Sequence, residues 1–281
     1  MSTLPVEAFE LVVAPAAGAV ALAQAARALG LRRASLELLA LVAYGYALER
    51  VAILVFASHE YGPAWRAAPG GVPLAVAVGW AAVILGSAAA AWRLGLCTPL
   101  ALAAGAALVG VTLDLLIEPV AVRAGLWRWT PPGPWLGVPV GNFVGWAVIV
   151  GVYVYGAERA GDARSEVQRA AHRIGLGAVA ILALVGVGLL WTRIGAERAF
   201  AGGRAAAVAG VTLLPLLALA RREPPARAAA GLAARLGRAG RPWALGVVAI
   251  AFGAEAVLLR ETALAAVAAG VIAVLVRTLA K

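Results

Sequence analysis

Long apolar runs, broken by short polar or Pro/Gly-rich joints, organise this chain from end to end. The runs cover about 8–26, 36–57, 72–92, 98–118, 140–157, 174–193, 204–220, 243–259 and 262–279. A helix needs about 20 apolar residues to cross the hydrocarbon core of a bilayer. The pattern therefore predicts an all-α, polytopic transmembrane bundle of eight or nine spans, with residues 1–281 forming a single integral membrane domain. Pro69-Gly70-Gly71, Pro131-Pro132-Gly133-Pro134, Pro224-Pro225 and Gly240-Arg241-Pro242 mark joints. The joint at Leu259-Arg260-Glu261-Thr262 has no Gly or Pro, so the last two runs could instead form one long helix. No internal repeat is evident.

Composition agrees. Hydrophobic residues make up 63% of the 281 and charged residues only 14%, too apolar a balance for a soluble domain. The net charge of +10 comes from arginines in the joints, the pattern of cytoplasmic membrane loops, and it points away from nucleic acid as a partner. An outside N-terminus and inside C-terminus in the cell membrane puts Arg27, Arg32, Arg33, Arg93, Arg159, Arg164, Arg169, Arg173, the cluster Arg221, Arg222, Arg227, Arg235, Arg238, Arg241, and Arg277 with Lys281 on the inside. The opposite side then holds fewer: Arg66, Arg123, Arg128, Arg193, Arg198, Arg204 and Arg260. The basic stretches 162–173 and 226–239 read as solvated loops or interfacial helices touching anionic lipid headgroups. The single Cys97 excludes an internal disulfide and a Cys-based metal cluster, and it reads as a small filler at a helix start. His59 and His172 fall in different loops, and no HExxH, CxxC or glycine-rich phosphate motif occurs. The first residues lack the basic start of a cleavable signal peptide.

Ionisable groups inside spans are costly and are functional candidates by default. Glu49, Asp114, Glu118 and Glu255 qualify, with Arg50 beside the first. Alternate spans share a direction, so Glu49 and Arg50, Asp114 and Glu118, Glu255 and the span-opening Asn142 all fall in one layer of membrane depth. Asp114 and Glu118 are four apart and share a helix face, as do Tyr46 and Arg50. Pro119 is expected to end or kink the helix just after Glu118. Glu49 and Arg50 could equally be a buried ion pair joining helices, and Glu118 a helix end reaching for water. Trp127, Trp129, Trp135 and Trp146 cluster in the segment 118–146. They read as an interfacial aromatic belt, or as π-faces beside carboxylic acids, which a site handling a carbocation needs.

The runs Asp114-Leu-Leu-Ile-Glu118-Pro119, Gly125-Leu-Trp-Arg-Trp129 and Gly137-Val-Pro139 through Asn142-Phe143 to Gly145-Trp146 resemble the membrane-type carotenoid biosynthesis proteins, among them carotenoid 1,2-hydratases and bisanhydrobacterioruberin hydratases. The motif resemblance covers about thirty residues, and 174–281 carries none of it. Pro131, Pro132, Pro134 and Leu136 depart from the pattern. The resemblance implies addition of water across the terminal C1–C2 double bond of a carotenoid ψ end group, with no redox cofactor and no metal. It implies a carotenoid substrate taken from the bilayer and, as partners, other enzymes of the same pathway.

Such a hydration needs a proton at C2 and water at the tertiary cation left on C1. The acid must be protonated at neutral pH, a state that burial favours for a carboxylic acid. The reading puts Asp114 as acid, with Glu118 and Asn142 orienting water or accepting its proton; acid and base could be exchanged. Glu49 with Arg50 would balance charge, and Tyr46, Trp127, Trp129, Trp146 and Glu255 would surround the substrate. A cyclase or a prenyl-transferring enzyme of the same end group, and a transporter or lipid-binding scaffold, are the competing readings. The Asp-rich magnesium motif of diphosphate-using prenyltransferases is missing from the sequence.

Overall fold

The computed structural model describes residues 6–160, 165–201, 204–219 and 231–279. Each of the nine apolar runs holds a helix among its described residues. The helices are α1 (Val6–Leu29), α2 (Leu31–Phe56), α3 (Leu74–Arg93), α4 (Pro99–Ala124), α5 (Val140–Arg159), α6 (Glu166–Arg193), α7 (Ala206–Leu219), α8 (Leu232–Ala239), α9 (Trp243–Leu258) and α10 (Thr262–Leu279). Six of them, α1 to α6, are long and apolar enough to cross a membrane, and seven do so if α8 and α9, bent by 74°, count as one span. This is fewer than the eight or nine expected. Apolar composition carries through residues 204–279, but the apolar helices there are short, and α7 holds Pro215 within it.

Local chemistry explains the boundaries. Thr98 caps α4 by accepting the Ala101 N–H, and Pro99 follows at the first helical position, where a missing N–H costs nothing. Pro119 does not end α4. The helix continues to Ala124 and stops at Gly125, whose φ of +74° is left-handed. Ser165 and Gln168 form a capping box that opens α6, so residues 166–173 are its first turns and not a loop. The joint at 259–262 is a real break, with Arg260 at φ +57°. Within α1, Phe9–Val13 is π-helical and Ala14 N–H reaches back to Phe9 O. Pro15 follows at once, and its missing N–H frees the local ladder to widen.

α3 and α4 form the centre: α3 touches α1, α2, α4, α5, α8, α9 and α10, and α4 touches α3, α5, α7, α9 and α10. Small residues make this possible. Trp80 to Trp92 of α3 is buried throughout, including Ala81, Ala82 and Ala88 to Ala91, and close backbone approach is how helices pack in lipid. α8 is amphipathic: Ala233, Ala234, Leu236 and Gly237 are buried against its neighbours, and Glu158 accepts the Ala233 N–H at 2.7 Å. Of the basic stretch 226–239, then, residues 232–239 are a packed helix. Pro224, Pro225, Arg164, Arg221, Arg222, Arg227 and Lys281 lie outside the described residues. Cys97 is exposed and fills no core.

Candidate active site

The site begins with one close helix contact. A Cβ on Gly45 of α2 would lie 2.6 Å from Trp80 Cβ of α3, so only glycine lets the two helices meet there. The contact sets Trp80 so that its indole N–H donates to Glu49 Oε1 at 2.7 Å. Gly45→Ala is expected to push Trp80 out of this position and to destabilise the protein by about 1–3 kcal/mol, as overpacking does. A lowered thermal midpoint in detergent would register it.

Two loops cover Glu49. The strand β1 (His59–Tyr61), after α2, pairs antiparallel with β2 (Trp127–Trp129), after α4, in the register His59 opposite Trp129 and Tyr61 opposite Trp127. Side chains alternate along a strand, so His59, Tyr61, Trp127 and Trp129 share the inner face and Glu60 and Arg128 form an ion pair on the outer one. His59 Nε2 meets Glu49 Oε2 at 3.1 Å, and Tyr61 Oη donates to the same oxygen at 3.0 Å. His59 and Trp129 rings lie 4.8 Å apart, and Tyr61 and Trp127 rings 5.8 Å.

Burial opposes the charge on His59, but hydrogen bonding and attraction to Glu49 hold its pKa above the ordinary 6.5. A raised folded-state pKa gives stabilisation that is complete below 6.5 and is lost as pH rises through the folded value. The thermal midpoint is therefore expected to fall with rising pH above 6.5, and this dependence to flatten in His59→Gln.

On α4, Glu118 is 5% exposed and Asp114 fully buried. Glu118 Oε2 accepts two indole N–H groups, from Trp127 at 2.9 Å and Trp129 at 2.8 Å. Asn142 Nδ2 donates to Asp114 Oδ2 at 2.8 Å, while Asp114 Oδ1 has no hydrogen-bond partner among the described residues. Glu118, Trp127, Trp129 and Asn142, but not Asp114, border a cavity of about 720 Å³, a size typical of ligand sites. Glu49, His59, Tyr61, Glu118 and Asn142 are polar members of its wall, and Phe9, Trp80, Trp127, Trp129, Trp146 and Phe252 are aromatic ones. Trp80 and Trp146 rings lie 4.1 Å apart. Among the spans α1 to α6, the lining comes from the first halves of α1, α3 and α5 and the second halves of α2, α4 and α6, which is a single layer of depth; α9 and the loops complete it.

The structure thus brings together Glu49, Glu118, Asn142, Trp127, Trp129 and Trp146, with Asp114 one hydrogen bond behind Asn142 and not on the wall. Tyr46 and Arg50 are not in the cavity: Tyr46 Oη donates to Pro69 O at 2.9 Å and Arg50 Nη1 to Gly70 O. Glu49 is held by His59, Tyr61 and Trp80 rather than in the ion pair with Arg50 weighed above. Glu255 is fully buried on α9 but does not line the cavity, although Phe252, one turn earlier, does. Glu118 is not a helix end reaching for water. Nor do the tryptophans form a headgroup belt: Trp127, Trp135 and Trp146 are all below 10% exposure. His59, Tyr61, Trp80 and Glu197 are wall residues that the sequence did not single out. Glu197 accepts the Val140 and Gly141 N–H groups that open α5 and the Trp191 indole, which favours a carboxylate at a helix N-terminus. Alternation in His-Glu-Tyr and Trp-Arg-Trp was the one available signal for the first two, but three-residue strands are too short to read.

No curated protein and no solved structure matches the chain. A family model described as carotenoid biosynthesis protein matches residues 9–216, which include α2 to α6, all but the first three residues of α1 and nearly the whole cavity wall, and the chain belongs to that family.

Proposed function

We propose that this protein is a carotenoid hydratase, adding water across the C1–C2 double bond of a ψ end group taken from the bilayer of the cell membrane. The observation that carries the reading is Glu118: a carboxyl group on the wall of a largely apolar cavity, beside tryptophan rings, with one oxygen accepting two indole N–H donors. In a neutral carboxylic acid the carbonyl oxygen has two lone pairs and the other oxygen carries the proton. Oε2 fits the first description, which leaves Oε1 to hold the acid proton. Transfer of that proton to C2 leaves a tertiary cation on C1 and a carboxylate that the two indoles stabilise. The π-faces of the tryptophans and the Glu49 carboxylate favour the cation. Asn142 spends its amide N–H on Asp114, so its carbonyl oxygen is available to orient the attacking water. The resulting oxonium returns its proton to Glu118, giving the tertiary alcohol and the restored acid. Asp114 acts through Asn142 and does not meet the substrate, a change from the role the sequence suggested. An outside N-terminus, favoured by the basic loops, places the cavity toward the outer leaflet.

The test is pigment extraction from a host making lycopene or γ-carotene and expressing this chain. Hydration gives a mass gain of one water. An isomer of unchanged mass indicates a cyclase, a prenyl gain indicates prenyl transfer, and an unaltered pigment profile favours a transporter or lipid-binding protein.

A further inference from the structure

The cavity has openings of two different chemistries. One lies among the loops, where Thr130, Pro132 and Arg198 both line the cavity and are exposed. The other is apolar and lies between two spans. Val55 of α2 and Leu189 of α6 line the cavity and are 48% and 54% exposed, so apolar side chains of two spans form an accessible part of the wall. α6 is a peripheral helix that packs mainly on α2 and α5. The seam is closed at one point by Phe56: a Cβ on Gly188 would lie 2.5 Å from Phe56 Cζ and 3.0 Å from Cε1, so the phenyl tip rests directly on the glycine backbone. Only glycine permits this seat, and a ring tip is the part of a side chain that moves most cheaply.

We propose that the α2–α6 seam at Phe56 and Gly188 is a lateral portal through which a linear apolar polyene enters from the bilayer, while water reaches the reacting end through the polar mouth at Thr130, Pro132 and Arg198. This rests on the reading of the cavity as the polyene site. A rigid polyene cannot coil to fit an enclosed space, so whatever part of it lies outside the cavity must leave by an opening. An apolar chain has no favourable surroundings at the polar mouth, whereas at the seam it passes from lipid to aromatic wall without being hydrated. The separation also delivers the two reactants from opposite media to the same carboxylate layer.

The experiment uses the full chain expressed in a lycopene-producing host and purified in detergent, with bound polyene per protein read by visible absorbance. Pigment is counted whether or not it has gained water, so the outcome is independent of the hydration test. Gly188→Leu is expected to lower bound polyene about tenfold, and adding Phe56→Ala to it to restore most of the loss. Thr130→Trp, which narrows the polar mouth away from α6, is expected to leave bound polyene unchanged. Equal polyene in Gly188→Leu and the parent overturns the portal, as does a loss confined to Thr130→Trp. A parent carrying no polyene overturns it too, whatever the extracts show of hydration. Should Gly188→Leu fail to give a monodisperse protein, Phe56→Trp decides: a larger ring over the intact glycine is expected to lower bound polyene, and parent-level binding rejects the proposal.

Discussion

Glu118→Gln lowers the yield of hydrated carotenoid by roughly 10²- to 10⁴-fold, the range a positioned general acid supplies, with the protein still folded in the membrane. The substitution is nearly isosteric. A glutamine carbonyl can accept the Trp127 and Trp129 N–H groups that Glu118 Oε2 accepts now, so the wall keeps its shape and loses only the transferable proton. Pigment mass spectrometry against equal amounts of inserted protein measures the ratio. Asp114→Asn gives a smaller loss, because Asp114 is separated from the cavity by Asn142. If Glu118→Gln hydrated at the parent's rate while Asp114→Asn did not, the proton would come from the deeper acid and the assignment of roles would reverse.

Arg173→Ala destabilises the protein by about 3–5 kcal/mol, the cost of stripping one partner from a buried ion pair. Glu37 of α2 is 8% exposed. Arg173 of α6 pairs with it through Nε at 3.1 Å and again through Nη2, and Tyr153 Oη of α5 donates to its other oxygen. Three spans are thereby joined at one buried charge, in the half of the bundle away from the cavity. Without Arg173 the carboxylate keeps only the tyrosine. Replacing both partners, by Glu37→Gln with Arg173→Met, recovers most of the loss, since the penalty lies in the orphaned charge and not in the missing pair. Thermal unfolding in detergent compares the variants, and equal midpoints for Arg173→Ala and the parent would refute the account.

The apolar periodicity was legible because lipid imposes it: a span must be apolar along its length, so helices show in composition alone. Depth was legible for the same reason. Helices that alternate in direction fix which residues share a layer, and Glu49, Glu118 and Asn142 do line one cavity. Rotation about each helix axis was not legible, because helices apolar on all faces carry no stripe to reveal the inward side. Arg50 follows Glu49 by about 100° around α2 and so binds the turn at Gly70. Glu255 shares a helix with Phe252 and misses the cavity by the same kind of rotation. The partners of Glu49 were hidden for a different reason. His59 and Tyr61 reach it only because one loop pairs with another nearly seventy positions later, and no local propensity announces such a match. The shortfall in span count has a third cause: hydropathy records how apolar a run is, while α7, α9 and α10 show that an apolar run can also be a short helix packed beside others.

The short antiparallel ribbon joining the two loops makes them a single heritable part. A one-residue slip in either strand would turn Glu60 or Arg128 toward the carboxylates and expel an aromatic ring. Insertions and deletions in 57–73 must therefore be matched by compensating changes in 125–139, and a chimera that exchanges one loop between relatives will lose the site unless the other travels with it.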